Sequence, residues 1–166
     1  NGGYEISPRV IDDKNELQKV INLWRDEFTL KNSGLKKLYR NKENIKFVLD
    51  ALYGATNEPR GTSYSSRLSK EYLYAGKTGT SQIRRITAEE RELKLKQSEL
   101  PYEKRDHALF VAFAPYKNPR YAISVIVEHG GTGSSAAAPI AKKVIKKVLD
   151  RDLLRKKHQI NFFDEV

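Results

Sequence analysis

Apolar residues recur at helical spacing in three parts of the chain. The first stretch follows Asp12 and Asp13, either of which can cap a helix, and the second follows Asn41 and should end at Gly54. The third opens at Pro139 and carries a stripe of lysines beside its apolar stripe. The apolar positions are Leu17, Val20, Ile21, Trp24 and Phe28; Ile45, Val48, Leu49, Leu52 and Tyr53; and Ile140, Val144, Ile145, Val148 and Leu149. This spacing predicts three amphipathic helices.

Short, dense apolar runs predict the strands. Residues 8–11 form a small one, and residues 71–75 lead as a strand into residues 76–82. Residues 107–114 and 121–127 are joined by a turn that contains two prolines, which indicates a hairpin. Neither hairpin strand has a polar face, so we expect a sheet that is covered on both sides. Antiparallel strands with covering helices make the predicted fold class α+β.

Two connections carry no long apolar pattern. Residues 83–106 alternate acidic and basic side chains, which predicts a long excursion with a helical turn near residues 88–95. Residues 129–135 join the last strand to the last helix, and the hydroxyl of Ser134 or Ser135 is expected to cap that helix.

Composition limits the class of protein. The chain of 166 residues is 39% hydrophobic and 31% charged, which is typical of one soluble globular domain or of a part of a larger one. No run approaches the roughly 18 apolar residues of a membrane helix. Cysteine is absent, which excludes disulfides and thiolate chemistry. Methionine is absent as well, so we expect a fragment or a processed chain.

The net charge of +10 would suit an anionic partner, which makes a basic nucleic-acid-binding module one alternative. Many of the lysines, however, fall at positions where they would form the solvated faces of helices.

Residues 75–81 hold the most informative chemistry. Lys77 supplies an ammonium group, Thr78 and Thr80 supply hydroxyls, and Gly79 lets another backbone lie close. An ammonium and two hydroxyls at a cleft can bind a carboxylate, and a free strand edge can pair with an extended peptide. Lys-Thr-Gly on a strand is also an element of penicillin-binding proteins and serine β-lactamases.

The match extends through most of the chain, in the same order. The segments closely resemble the C-terminal part of the transpeptidase domain in the penicillin-binding protein 2 family, the elongation-type class B enzymes. Besides Lys77-Thr78-Gly79, they are Gly61-Thr62-Ser63-Tyr64, Gly79-Thr80-Ser81-Gln82, Arg105-Asp106-His107, Ala112-Phe113-Ala114-Pro115-Tyr116-Lys117-Asn118-Pro119, Glu128-His129-Gly130-Gly131 and Ala137-Ala138-Pro139-Ile140.

This resemblance implies a D,D-transpeptidase that cross-links peptidoglycan through a serine acyl-enzyme and is acylated by β-lactams. Lys77 would orient the substrate, and Thr78, Gly79 and Thr80 would bind it, with the two threonines at its terminal carboxylate. The backbone N–H of Thr80 would supply half of an oxyanion hole, whose other half is the nucleophile's own N–H. No cofactor is expected.

The chain also departs from the family's pattern. The family has a Ser-x-x-Lys nucleophile motif and a Ser-x-Asn motif, both N-terminal to the Lys-Thr-Gly strand. This sequence contains no Ser-x-Asn, and its one Ser-x-x-Lys begins at Ser33 in a basic stretch with little apolar support. A motif with two fixed positions recurs by chance. We therefore expect residues 1–166 to be the C-terminal part of one transpeptidase domain, without the nucleophile and inactive alone.

Two other patterns predict no site. Residues 131–136 follow a strand and open a helix, as a dinucleotide-binding turn does, but no second strand with an acidic end follows. His107, His129 and His158 are widely spread, so no metal site is expected. Arg105 and Asp106 could form a structural ion pair.

The resemblance also implies partners and a place in the cell. The expected ligands are D-Ala-D-Ala stem peptides and β-lactams, and the expected protein partners are the glycosyltransferase and scaffold proteins of an elongation complex. The parent protein would lie at the periplasmic face of the bacterial inner membrane. A serine β-lactamase fragment is the alternative enzyme, but the hairpin of residues 112–116 favours the synthase.

Overall fold

The computed structural model describes residues 39–93 and 95–153 in full, residues 154–157 by their backbone, and Asn15, Lys19 and Gly34 singly. The predicted strand at residues 8–11, most of the predicted helix at residues 12–28, Ser33 and His158 lie outside the described residues. The chain divides into two compact units, Asn1–Val48 with Asn161–Val166, and Leu49–Ile160. The second unit contains the sheet.

Helices and one antiparallel sheet make up the described part of the chain, which confirms the predicted α+β fold class. Their order is α1 Lys42–Asn57, β1 Ala75–Ser81, α2 Ala88–Leu93, β2 His107–Ala114, β3 Tyr121–Val127 and α3 Ala138–Lys157. A π-helical turn, Gly133–Ala137, runs directly into α3. Within these residues, no helix is both long and apolar enough to cross a membrane.

Helix α1 begins where the sequence predicts, but it ends three residues after the predicted end. The Asn41 Oδ1 atom accepts the N–H of Glu43 at 2.8 Å, which is the geometry of an N-cap. The predicted end at Gly54 is wrong, because the helix continues to Asn57. The Asn57 side-chain amide donates to the carbonyl of Tyr53 at 3.1 Å, which adds a side-chain hydrogen bond to the last turn.

The three strands form one antiparallel sheet in the order β1-β2-β3. The predicted hairpin of β2 and β3 is confirmed. The predicted early start of β1 is wrong, because residues 70–72 form a 3-10 turn and pairing begins at Ala75. Ala75 lies opposite Phe113, and β2 ends one residue later at Ala114, so residues 71–73 lie beyond the end of β2.

Small side chains bring α3 close to the sheet. The buried face of β2 presents three alanines and Phe110, and the core residues of the turn and of α3 that belong to the same cluster are Ala137, Ala138, Ala141, Ile145 and Leu149. Of the predicted apolar stripe on this helix, Ile140 and Val144 are each 45% exposed. The inward face of α3 is thus rotated toward its alanines.

The other face of the sheet is open among the described residues. Val111 is 52% exposed and Ile126 is 63% exposed. The predicted cover on both sides is therefore found on one side only in this part of the chain.

Candidate active-site edge

Strand β1 lies at the edge of the sheet, so half of its backbone groups point away from β2. The N–H of Gly76 donates to the Thr56 hydroxyl at 3.0 Å, and the carbonyl of Tyr74 accepts from the Asn57 amide at 2.8 Å. Both contacts are made to the end of α1, so residues 74 and 76 present their polar backbone groups outward. Because the pattern alternates along an antiparallel ladder, Thr78 and Thr80 do the same.

Helix α1 covers this edge only as far as Gly76. Beyond that point, no turn, loop or side-chain hydrogen bond from the described residues reaches the N–H of Thr78 or Thr80. An edge strand with free N–H donors can pair with an extended peptide. The open part of the edge coincides with the Lys-Thr-Gly segment that the sequence singled out.

The side chains of this segment gather at the open edge. Lys77 is exposed, and its Nζ atom donates to the carbonyl of Thr78 at 2.8 Å. The hydroxyl of Thr78 lies 3.0 Å from the hydroxyl of Thr62, which reaches the strand from the loop after α1. Thr80 is also exposed and lies two residues after Thr78 on the same strand. The structure thus brings all four predicted site residues, Lys77, Thr78, Gly79 and Thr80, to one edge.

Two glycines keep the strand close to its neighbours. A Cβ atom on Gly76 would lie 2.6 Å from the Phe110 ring and 2.7 Å from the carbonyl oxygen of Val111. A Cβ atom on Gly133, in the π-helical turn, would lie 2.6 Å from the carbonyl oxygen of Gly79. These distances are shorter than van der Waals contact, so neither Gly76 nor Gly133 has room for a side chain. The strand therefore packs closely against β2 and against the turn.

A cleft of about 340 Å³ lies between the end of α1 and β1. It is lined by acidic and basic side chains together with small residues: Asp50, Ala51, Gly54, Ala55, Glu58, Arg60, Gly61, Thr62 and Lys77. On its α1 side, Tyr116 donates its hydroxyl to Asp50 at 2.9 Å. Burial, and then the hydrogen bond to the Asp50 carboxylate, raise the pKa of Tyr116 above its ordinary value.

The histidine prediction is corrected in one respect, because His107 and His129 are adjacent. The backbone N–H of His129 donates to the ring Nδ1 of His107 at 2.9 Å, and the centroids of the two rings are 4.9 Å apart. The hairpin register, which pairs Ala108 with Val127, is the signal that could have placed them together. In the described residues, no group of three potential ligands is placed to hold a metal ion.

The ion pair that Arg105 and Asp106 could form is not among the ion pairs of the described residues. Asp106 is buried and accepts the Gln97 amide at 2.8 Å, whereas Arg105 donates to the carbonyl of Leu100 at 2.9 Å. Both side chains thus bind residues of the connection between β1 and β2 and do not bind each other.

The expected serine cap on α3 is wrong too. The Ser135 hydroxyl lies 2.7 Å from that of Thr132, and no side-chain cap is made at the start of the π-helical turn. The hydroxyls of Thr132, Ser134 and Ser135 therefore contact one another, and the N–H groups of Ser135 and Ala136 donate to the carbonyl of Thr132.

Comparison with known proteins agrees with this geometry. The family model described as "Penicillin binding protein transpeptidase domain" matches residues 1–146. Peptidoglycan D,D-transpeptidase MrdA of Salmonella typhimurium is 41% identical over 103 residues, which are 62% of this chain and 16% of that protein. The chain therefore spans about a sixth of the length of this relative.

Solved structures show the same likeness. PBP2 of Helicobacter pylori, in a complex with MreC, has a TM-score of 0.57 at 30% identity and covers 70% of this chain and 19% of its own. PBP2 of Pseudomonas aeruginosa, in a complex with WCK 5153, has a TM-score of 0.52 at 35% identity and covers 68% and 21%. The resemblance to penicillin-binding protein 2 is confirmed, and the chain belongs to the penicillin-binding protein transpeptidase domain family.

Proposed function

We propose that this chain is the C-terminal part of a peptidoglycan D,D-transpeptidase domain. In the proposed reaction, a serine attacks the D-Ala-D-Ala bond of one stem peptide and releases D-Ala. An amine of a second stem then resolves the acyl-enzyme. β-Lactams acylate the same serine because they mimic the donor. The nucleophile and the Ser-x-Asn motif would lie in a part of the protein that precedes residue 1.

The observation that carries this proposal is the open edge of β1. The outward N–H of Thr80 is free to donate to a developing oxyanion, and the ammonium group of Lys77 and the hydroxyl of Thr78 lie beside it. A carboxylate needs donors and positive charge, and an acyl transition state needs N–H donors that are already in place. One strand edge supplies both.

The partners and the location are proposed from relatives. The H. pylori PBP2 structure is a complex with MreC, which supports a scaffold protein of that kind as a partner here. We further propose a partner glycosyltransferase and a location at the periplasmic face of the inner membrane. A serine β-lactamase fragment or a nucleic-acid-binding module is less well supported, because the relatives are transpeptidases.

The proposal is tested by β-lactam acylation of the full-length parent protein. Lys77→Ala removes the cation that faces the substrate carboxylate, and a hydrogen bond to a charged group is worth about 1.5–3 kcal/mol. We expect acylation to slow by about one to two orders of magnitude. Thr80→Pro removes the proposed oxyanion donor and should slow acylation by about two to three orders of magnitude.

Thr80→Ala is the matched control, because it keeps the backbone N–H and removes only the hydroxyl. It should be the mildest of the three variants. Melting curves must accompany the rates, since proline can distort a strand. If Thr80→Pro is acylated at the parental rate with an unchanged melting temperature, Thr80 is not the oxyanion donor.

A further inference from the structure

The hydroxyl of Thr62 contacts the site from outside the strand. Its Oγ1 atom lies 3.0 Å from Oγ1 of Thr78, and the geometry allows either oxygen to be the donor. Thr62 lies sixteen residues before Thr78 and reaches it from the loop that follows α1. Nothing in the Lys-Thr-Gly motif itself requires this contact.

The loop that carries Thr62 is clamped on both sides of that residue. Before it, a Cβ atom on Gly61 would lie 2.5 Å from the carbonyl oxygen of Gly54, so the bare backbone packs on the end of α1. After it, Ser63 is fully buried and donates both its N–H, at 3.0 Å, and its hydroxyl, at 2.9 Å, to the carbonyl of Ala55. Thr62 is therefore an exposed side chain on an immobilised backbone.

The same end of α1 also fixes the strand. The buried hydroxyl of Thr56 accepts the N–H of Gly76 at 3.0 Å and lies 3.4 Å from the hydroxyl of Ser63. Thr62 and Thr78 are each two residues or fewer from a member of this buried cluster. The separation of their hydroxyls is thus set by Thr56, Ser63 and the strand backbone rather than by their own flexible contact.

Hydrogen-bond chemistry then sets the direction of the contact. A carboxylate is an acceptor only, so a hydroxyl that binds it must donate its one proton. If Thr78 donates to the substrate carboxylate, it has no proton left for Thr62. Thr62 must then donate to the oxygen of Thr78. A donor chain of this kind polarises the second hydroxyl and holds it in one rotamer.

We propose that Thr62 is a positioning residue for the transpeptidation reaction, which orients the Thr78 hydroxyl toward the carboxylate of the donor stem peptide or of a β-lactam. This inference rests on the proposed function, because it assigns carboxylate binding to Thr78. The cleft that Thr62 and Lys77 line leaves room for the peptide to approach.

The test measures β-lactam acylation rates of the full-length parent protein with a penicillin that carries its carboxylate. Thr62→Val keeps the shape and removes the donor, so we expect a loss of about three- to tenfold, the usual effect of one hydrogen bond. Thr62→Ser keeps the hydroxyl and should restore most of the rate. Thr78→Val should lose about ten- to a hundredfold, because it removes a hydrogen bond to a charged group.

The double variant separates positioning from structure. If Thr62 acts through Thr78, Thr62→Val should cost nothing further in the Thr78→Val protein. A loss of the same size in both backgrounds, or one that Thr62→Ser does not rescue, would overturn the inference and indicate a structural role. A parental rate for Thr62→Val beside a slow Thr78→Val would overturn the inference alone. A parental rate for Thr78→Val would refute carboxylate binding by Thr78, and the inference with it.

Discussion

Thr56 is a single hydroxyl that holds two segments of the chain together. Its oxygen accepts the N–H of Gly76 and lies 3.4 Å from both the carbonyl of Gly76 and the hydroxyl of Ser63. All of these groups are buried, where an unpaired polar atom is costly. Their mutual satisfaction explains why the loop before the strand and the strand itself keep a fixed geometry beside an open cleft.

Tyr74 makes the stability of this region sensitive to alkali. It is fully buried, donates its hydroxyl to the carbonyl of Ser66 at 2.7 Å, and burial raises its pKa to about 12. Since the pKa in the folded state lies above that of an unfolded tyrosine, about 10, the stabilisation is complete below pH 10. It is lost as the pH rises toward 12, at about 1.4 kcal/mol per pH unit.

Urea denaturation of the parent protein at pH 9, 10 and 11 measures this effect. Tyr74→Phe should be less stable at pH 9, by roughly 1–3 kcal/mol, because the Ser66 carbonyl loses its partner. Its free energy of unfolding should then fall less steeply between pH 10 and 11 than that of the parent. If the free energy of unfolding falls equally steeply in both proteins, the pKa of Tyr74 is not raised by folding.

At the scale of elements, the sequence predicts what local patterns determine. The hairpin of residues 107–114 and 121–127, the Asn41 cap and the helix that begins near Pro139 all follow from spacing and residue type. The start of β1 does not, because it depends on where β2 ends. The Thr62–Thr78 contact and the His107–His129 pair likewise arise from tertiary packing and strand register, which residue spacing does not reveal.

The turn before α3 offers a test of close packing between elements. A Cβ atom on Gly133 would meet backbone atoms of β1 and β2, including the nitrogen of Gly79 at 3.0 Å. Backbone cannot move aside as a side chain can, so Gly133→Ala should lower the free energy of unfolding by about 1–3 kcal/mol. The displaced Gly79 should also slow β-lactam acylation, which a rate measurement would detect.

Gly54→Ala is the matched control for that substitution. Gly54 lies within α1, and the atoms nearest to an added Cβ belong to the flexible end of Glu58, at 3.1 Å. Alanine is preferred over glycine in helices by up to about 1 kcal/mol. Gly54→Ala should therefore leave the melting temperature unchanged or raise it. Equal destabilisation by both variants would show that Gly133 is not specially confined.

At the scale of the whole molecule, the described residues leave both the sheet and the site open on one side. The described residues cover one face of the sheet with α3, while Val111 and Ile126 stay exposed on the other. The site similarly supplies a strand edge, a cation and one oxyanion donor. A serine nucleophile and a second donor are the groups that an acyl transfer still needs. The partial set of groups at the described site fits the proposal that the chain is one part of a larger domain.

This incompleteness makes a prediction for the 166-residue chain by itself, which should form no covalent adduct with a labelled penicillin. Its one Ser-x-x-Lys begins at Ser33, which lies outside the described residues, and no Ser-x-Asn is present. A motif with only two fixed positions recurs by chance, so we do not assign the nucleophile to Ser33. Intact mass measured after incubation decides the matter, with the parent protein as the positive control. One bound penicillin per chain, mapped to Ser33, would contradict the assignment of the nucleophile to another part of the protein.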